Sequence, residues 1–442
     1  MMKKVVVLLS VGLLSFLISV SILPGITWQS MGPSGGGNIM VSCYHPTDAN
    51  TVFLGGDVSG LHKSTDGGAS WRQVNTGLAA SDETASAYGI MSIAISRSSP
   101  QIMFIGTWRG LFKSTDGGEN WTRRIPSLPS GEDVPTGAVA IDPNDPLHVY
   151  AGEGDYFEGT GGTGTFFRST NGGNTWDTIA GTGIDSQAIF SSIAVDPTTT
   201  YPNQTIFATT DKSVYKSTDS GSNWSSIQNP VLPHGDSWLI SLHESGGTVT
   251  LYLSLKIHGD PSLESNYRGG IYKSTDRGNS WQDVTNNLPK RTDWGGGERY
   301  WYNWVDMALH PTDANILYVG TFHEDGHEYH GVWKTTSGGA SWSWSSQTIP
   351  DMGWLTYWDE GATFLSLPPV QPETVIYGSN EVYKSADAGV NWTQSYCTSA
   401  GGDYWRGSGL ELTYVYCLAF DPVTTGRFYI GYEDVLFFKT ED

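Results

Sequence analysis

The chain has 442 residues, enough for two or three ordinary domains, with aromatics at 12%, charged residues at only 16%, and 55 glycines. A formal net charge of -21 works against nucleic acid and against an anionic membrane surface, and leaves a neutral or cationic ligand as the better partner. Short strands joined by tight turns fit this composition, and no segment carries a sustained 3.6-residue pattern, so helix should be scarce.

Taken in chain order, Lys3 and Lys4 precede an apolar run from Val5 to Ile22, followed by Pro24 and Gly25. This reads as a secretory signal over residues 1–21, cleaved after Ser21, in a secreted or cell-surface protein; a run of about 18 residues is also long enough for an uncleaved anchor. No cysteine lies near it to carry a lipid.

From there the chain repeats one short phrase: an aromatic and a basic residue, then Ser or Thr, any residue, Asp, any residue, Gly, two residues and Trp. The copies run Ser64 to Trp71, Ser114 to Trp121, Ser169 to Trp176, Ser217 to Trp224, Ser274 to Trp281, Thr335 to Trp342 and Ser385 to Trp392, with Asn171 and Ser337 replacing the Asp in two of them. An eighth opens at Phe437 and reaches Asp442. Steps between the Asp positions (66, 116, 171, 219, 276, 337, 387, 442) are 50, 55, 48, 57, 61, 50 and 55 residues. A period near fifty is the size of one four-stranded propeller blade.

A second theme lies between the phrases, as in Val139 to Pro143 followed by His148 to Ala151, and supplies strands A and B of each blade. Strand C enters the phrase and strand D starts at its Trp, so the phrase is the C-to-D turn. Its chemistry is structural: the Asp accepts hydrogen bonds from backbone N–H groups of the turn, Gly supplies the backbone angles, and Trp packs over it. The predicted fold is all-β, a seven-bladed propeller of four-stranded antiparallel blades over residues 26–404. Residues 405–442 either begin a further blade or second propeller, or close the ring against a strand around Trp28 to Met31; seven complete phrases favour the first.

Consecutive strands are antiparallel, so A-to-B and C-to-D turns share one face of the disc and B-to-C and D-to-A loops share the other. The second face receives every unusual insertion. Its loops mix acids with aromatics, among them Trp108, Tyr156, Trp294, Tyr300, Trp301, Trp354, Trp358, Tyr404 and Trp405. Flat rings stack on sugars and carboxylates accept their hydroxyls, which suits a groove for a neutral polysaccharide; the alternative is that the aromatics plug loops against the propeller. Cys43, Cys397 and Cys417 allow one bridge, most naturally between the last two, or three thiols.

The repeated phrase is the Asp-box, and the sequence resembles the Asp-box propeller families: sialidases, sortilin-like receptors, photosystem assembly factors and xyloglucan-cleaving endoglucanases. Outside the boxes it is most similar to the two-propeller xyloglucanases. Three stretches carry that likeness: Gly35 to Gly37 leading through Cys43 to Gly56-Asp57-Val58-Ser59-Gly60; Gly409-Leu410-Glu411-Leu412-Thr413; and Asp434-Val435-Leu436-Phe437-Phe438-Lys439. The resemblance implies a secreted endo-β-glucanase without cofactor or metal, inverting, with Asp57 as general base and Asp434 as general acid across a cleft. Ser59, Leu436 and Phe437 stand where that family has glycines. The alternative from another class is a non-catalytic propeller that binds protein or glycan.

Two sharper-looking motifs are set aside. His323-Glu324-Asp325-Gly326-His327 matches the zinc-protease pattern, but it falls in a predicted loop holding Gly326, where no helix aligns the imidazoles. Arg124-Ile125-Pro126 resembles a sialidase signature, yet it follows the second box, whereas in sialidases it precedes the first.

Overall fold

The structure is a computed structural model of the whole chain; the residues described are 4–9, 16–21, 38–78, 89–124, 135–156, 159–180, 182–258, 268–292, 298–301, 303–321, 331–349, 353, 361–401, 404–410, 415–420, 422–423, 428–432 and 437–439. Seven sheets of four antiparallel strands, each built from consecutive sequence, form the seven blades. Their inner strands are Ile39–His45, Ile90–Ile95, Thr136–Ile141, Phe190–Val195, Ser237–Ser245, Trp304–Leu309 and Phe364–Ser366. Each packs beside the next, and the seventh packs beside the first, so the ring closes. Among the described residues there is no helix.

The box works as predicted, with its serine as the hub. Ser64 Oγ donates to Asp66 Oδ1 at 2.8 Å and accepts the Gly68 N–H at 2.8 Å, while Asp66 Oδ1 accepts the Ser70 N–H at 2.9 Å. The same bonds recur around Asp116, Asp219, Asp276 and Asp387, and Asn171 reproduces them with its amide oxygen. The last glycine of the box is required twice over. Gly221 has φ +84°, and a Cβ there would lie 2.3 Å from the Phe166 ring of the preceding blade.

Two box-linked side chains tie neighbouring blades, which the sequence reading did not anticipate. The indoles of Trp71, Trp121, Trp281, Trp342 and Trp392 donate to the Ser395, Val74, Ile227, Val284 and Ser345 carbonyls of the preceding blade, whereas Trp224 donates to Gly221 within its own box. In the other direction, the basic residue before the box reaches the next blade: Lys63, Lys113, Lys216, Lys334 and Lys384 donate to the carbonyls of Gly117, Gly172, Arg277, Ala388 and Gly67.

Ring closure uses the same devices without strand exchange. Blade 7 meets blade 1 through the Trp71 indole, Lys384, and the Ile39 N–H on the Ser379 carbonyl at 2.9 Å. The chain after blade 7 also enters this seam: Tyr396, Cys397 and Leu410 are buried in it with Ile39 and Trp71, and the Trp71 N–H donates to the Ser408 carbonyl at 2.7 Å. A hairpin of Cys397–Gly401 and Tyr404–Gly407 follows, then a three-stranded sheet of Val415–Phe420, Phe428–Tyr432 and Phe437–Lys439. At the other end, Lys4–Leu9 pairs with Phe16–Ser21. Cys397 Sγ lies 3.6 Å from Gln394 Oε1, and burial pushes the Cys43 thiol up to about 12; the Cys417 side chain lies outside the described residues.

Candidate functional site

Six inner strands carry a register shift at their first residues, which leaves one residue unpaired: Met40, Met91, Gly137, Ser191, Trp238 and Val305. Such bulges re-aim a side chain out of the pleat. These residues ring the mouth of the axial channel on the face opposite the boxes, together with Tyr156 and Thr363. Trp238 was not among the sequence candidates, because a bulge breaks the strand alternation on which such a reading relies.

Asp57 sits in the tight B-to-C turn of blade 1, between Asp48–Gly56 and Leu61–Ser64. The turn is held from three sides. Gly56 N–H donates to the Gly60 carbonyl and Asp57 N–H to the Asn38 carbonyl, while Asn75 accepts the Leu61 N–H at 2.8 Å and donates to the Ser59 carbonyl at 2.9 Å. Gly60 has φ +80° and lies against the Asn75 amide, so no side chain fits there. Trp108 occupies the equivalent turn of blade 2, braced by Thr107, whose hydroxyl accepts the Arg109 N–H and donates to the Gly110 carbonyl. The indole lies on Gly89, where a Cβ would come within 2.5 Å of its ring.

Tyr156 reaches from blade 3 across blade 4 to blade 5. Its hydroxyl donates to Asp236 Oδ1 at 2.6 Å, its ring meets Trp238 edge-on at 4.8 Å, and Lys256 Nζ lies 5.0 Å from the Tyr156 centroid and 4.9 Å from that of Trp238. Burial, and then the Asp236 charge, hold its phenol well above the usual range, so it remains a donor. Only 5% of Tyr156 is exposed, which makes it a brace for Trp238 more than an open platform.

Of the other candidates, Trp405 is half-buried and packs on the seam between blades 7 and 1. Tyr300 and Trp301 lie on the hairpin strand Glu298–Trp301, opposite Arg291 and Lys290, and Tyr404 pairs with Gly401; only their backbones are described. Trp294, Trp354, Trp358 and Asp434 lie outside the described residues, as do His323 to His327, Ile125 and Pro126. Among the described residues no group of three His, Cys, Asp or Glu side chains could hold a metal. The structure thus joins Tyr156 to Trp238 and Lys256, and sets Asp57 and Trp108 on corresponding turns of adjacent blades.

Against known proteins, the chain is similar to xyloglucanases. It is 24% identical over 297 residues to a xyloglucanase of a Paenibacillus species, covering 58% of this chain and 26% of that protein. To a xyloglucanase of Acetivibrio thermocellus it is 28% identical over 148 residues, covering 28% of this chain and 16% of that one. Among solved structures, an ancestral GH74 enzyme matches 94% of this chain and 54% of its own at TM-score 0.69 and 24% identity. The GH74 xyloglucanase of Xanthomonas campestris matches 93% and 60% at TM-score 0.70 and 16% identity. These structural matches show the fold. A family profile described as Sortilin, neurotensin receptor 3, matches residues 164–303. The chain spans about a quarter or less of the curated relatives' length and little over half of the solved ones.

Proposed function

We propose that this propeller belongs to an exported, xyloglucanase-like endo-β-glucanase that hydrolyses a β-1,4-glucan backbone with inversion. The observation that carries the reading is Asp57: an acid in a turn clamped by Asn38 and Asn75, on the face that bears Trp108 and Trp238, in a chain similar to xyloglucanases. A general base gains from such clamping, since a carboxylate fixed by its backbone keeps its distance to an attacking water. In this mechanism Asp57 takes the proton from water on one side of the sugar while Asp434 protonates the glycosidic oxygen on the other. Inversion requires the two carboxyls to be about 6.5 to 9.5 Å apart, leaving room for that water. The neutral polysaccharide lies over the aromatics of the same face, and residues 405–442 lead into a further blade or second propeller that completes the cleft. The three-stranded sheet supports this last point, since Val415/Cys417 repeats the inner-strand bulge of the blades.

The test is reducing-sugar release from xyloglucan, mixed-linkage glucan and cellulose by the chain together with any sequence that follows it. Asp57→Asn and Asp434→Asn should each lower kcat on xyloglucan by roughly 100-fold or more with folding intact. Two variants that cleave at the wild-type rate would remove the reading. The profile match over residues 164–303 favours a second one, a propeller that binds a protein or glycan without cleaving it. In that case xyloglucan oligosaccharides are retained on the protein and recovered whole.

A further inference from the structure

The seven inner strands enclose an axial channel. From the mouth opposite the boxes, a cavity of about 100 Å³ leads into one of about 430 Å³, the two sharing Val41, Met91, Ser191, Leu239 and Asp306 as walls. Asp306 is the one charged side chain among the described residues lining this stretch. It stands directly after the bulge of the blade 6 inner strand, and the internal repeat supplies its structural equivalents: Val41, Ser92, Ala138, Ser192 and Leu239 occupy the same register position in five other blades. The ring therefore closes with apolar or hydroxyl side chains at this position. Only at the joint of blades 6 and 7 does a carboxylate stand here, where one of its oxygens takes the Leu365 N–H of blade 7.

Its bonds are few for its chemistry. Oδ1 accepts the Met307 N–H at 2.7 Å and Oδ2 the Leu365 N–H at 2.7 Å, and among the described residues no cation pairs with it. A carboxylate offers about four acceptor positions, so two remain for a ligand. It is half-buried and lines both cavities, and burial pushes its carboxyl up to about 7 against the pull of its two N–H donors, so a cation beside it would be needed to hold it ionised. The mouth is lined by Met40, Met91, Trp238 and Tyr156. Soft sulfur and aromatic faces suit a methylene stem and a cationic head. The rim already holds one amine in this way, Lys256 over both rings. A net charge of -21 draws cations to the molecule.

We propose that Asp306 is the anionic floor of a binding site for a primary alkylammonium group, entering the channel by the mouth opposite the boxes. The head donates to the free acceptor positions of Asp306 and the alkyl stem lies between Met40, Met91 and Trp238. This site is separate from the Asp57 chemistry and does not depend on it.

Calorimetric titration of the full chain tests it, with n-hexylammonium, the neutral isostere n-hexanol, and a short peptide with one central lysine. Saturable binding of an amine at millimolar concentration or below is expected, with hexanol at least roughly tenfold weaker because it lacks the charge. Binding of hexylammonium alone identifies a free amine as the ligand, and binding of the peptide identifies a lysine presented by a protein. Asp306→Asn should weaken either by a similar factor. No saturable binding of either amine up to about 10 mM, hexanol binding as well as hexylammonium, or an unchanged affinity in Asp306→Asn overturns the proposal. The amine-to-alcohol comparison is made on the wild-type protein, so it stands even if the variant fails to fold.

Discussion

Asp116 gathers four hydrogen bonds in its turn, from the Asn120 side-chain amide, the Asn120 and Glu119 N–H groups and the Ser114 hydroxyl. The Asn120 amide, with these partners, holds its carboxyl down to about 2. Because the folded value lies below the unfolded one, the stability this group contributes is present above about 3.8 and disappears as pH falls toward 2. Asn171 occupies the same position in box 3 and accepts the Ser169 hydroxyl and the Asn174 and Thr175 N–H groups through its amide oxygen. Asp116→Asn keeps the Oδ1 bonds but loses the acceptor for the Asn120 amide, and should cost about 0.5–1 kcal/mol at pH 7 and remove part of the acid sensitivity, while Asp116→Ala should cost about 1–2 kcal/mol, the scale of a lost turn cap. Urea unfolding of the three proteins at pH 7 and pH 3 measures both effects. This role was legible in the sequence because every partner of Asp116 lies within four residues. Asp306 was not, since its meaning depends on a bulge and on a lumen shared by seven strands. Aligning the inner strands with one another would have marked it as a lone acid in a column of Val, Ser, Ala, Ser and Leu.

Between blades the Trp and Lys bonds span 47 residues or more, and sequence spacing alone does not say which partner a side chain reaches. The box tryptophans were legible as packing groups; their bonds to the preceding blade, and the lysine bonds to the next, were not. The two links run in opposite directions, so the boxes of blades 1, 2, 6 and 7 are each gripped from both sides. Trp121 and Trp176 separate the hydrogen bond from the packing. The Trp121 indole N–H donates to the buried Val74 carbonyl at 3.0 Å, whereas that of Trp176 is buried without a partner among the described residues and its ring packs edge-on against Phe104. Trp121→Phe trims the ring and orphans a carbonyl, and is expected to cost about 2–3 kcal/mol. Trp176→Phe removes an N–H that has no partner among the described residues and should cost less than about 1 kcal/mol. Equal losses in chemical denaturation would mean that the indole bond does not hold the blades together.

For the whole molecule, the decisive joint is the one the chain must make without continuity, between blade 7 and blade 1. Seven blades from seven boxes could be counted in advance, but how the ring closes could not, because beside the box-linked Trp71 and Lys384 the joint uses Tyr396, Cys397, Ser408 and Leu410, which carry no repeat signature. Trp71 is enclosed by Tyr396, Cys397 and Leu410, and its backbone N–H is taken by Ser408, so the segment through Leu410 acts as a wedge in the seam. The three-stranded sheet that starts at Val415 comes after this wedge. A chain ended after Gln394 would expose Ile39, Trp71 and the rest of that cluster at an open joint. Losing the burial of Tyr396 and Leu410 alone removes roughly 3–6 kcal/mol, which is comparable to the net stability of many domains. Such a chain should lose cooperative thermal unfolding and bind a hydrophobic dye, whereas one ended after Thr413 keeps the wedge and should melt within a few degrees of the full chain. Calorimetry on the two truncations distinguishes a ring sealed by residues 395–410 from one that depends on the sheet beyond them, because only in the second case do both lose their transition.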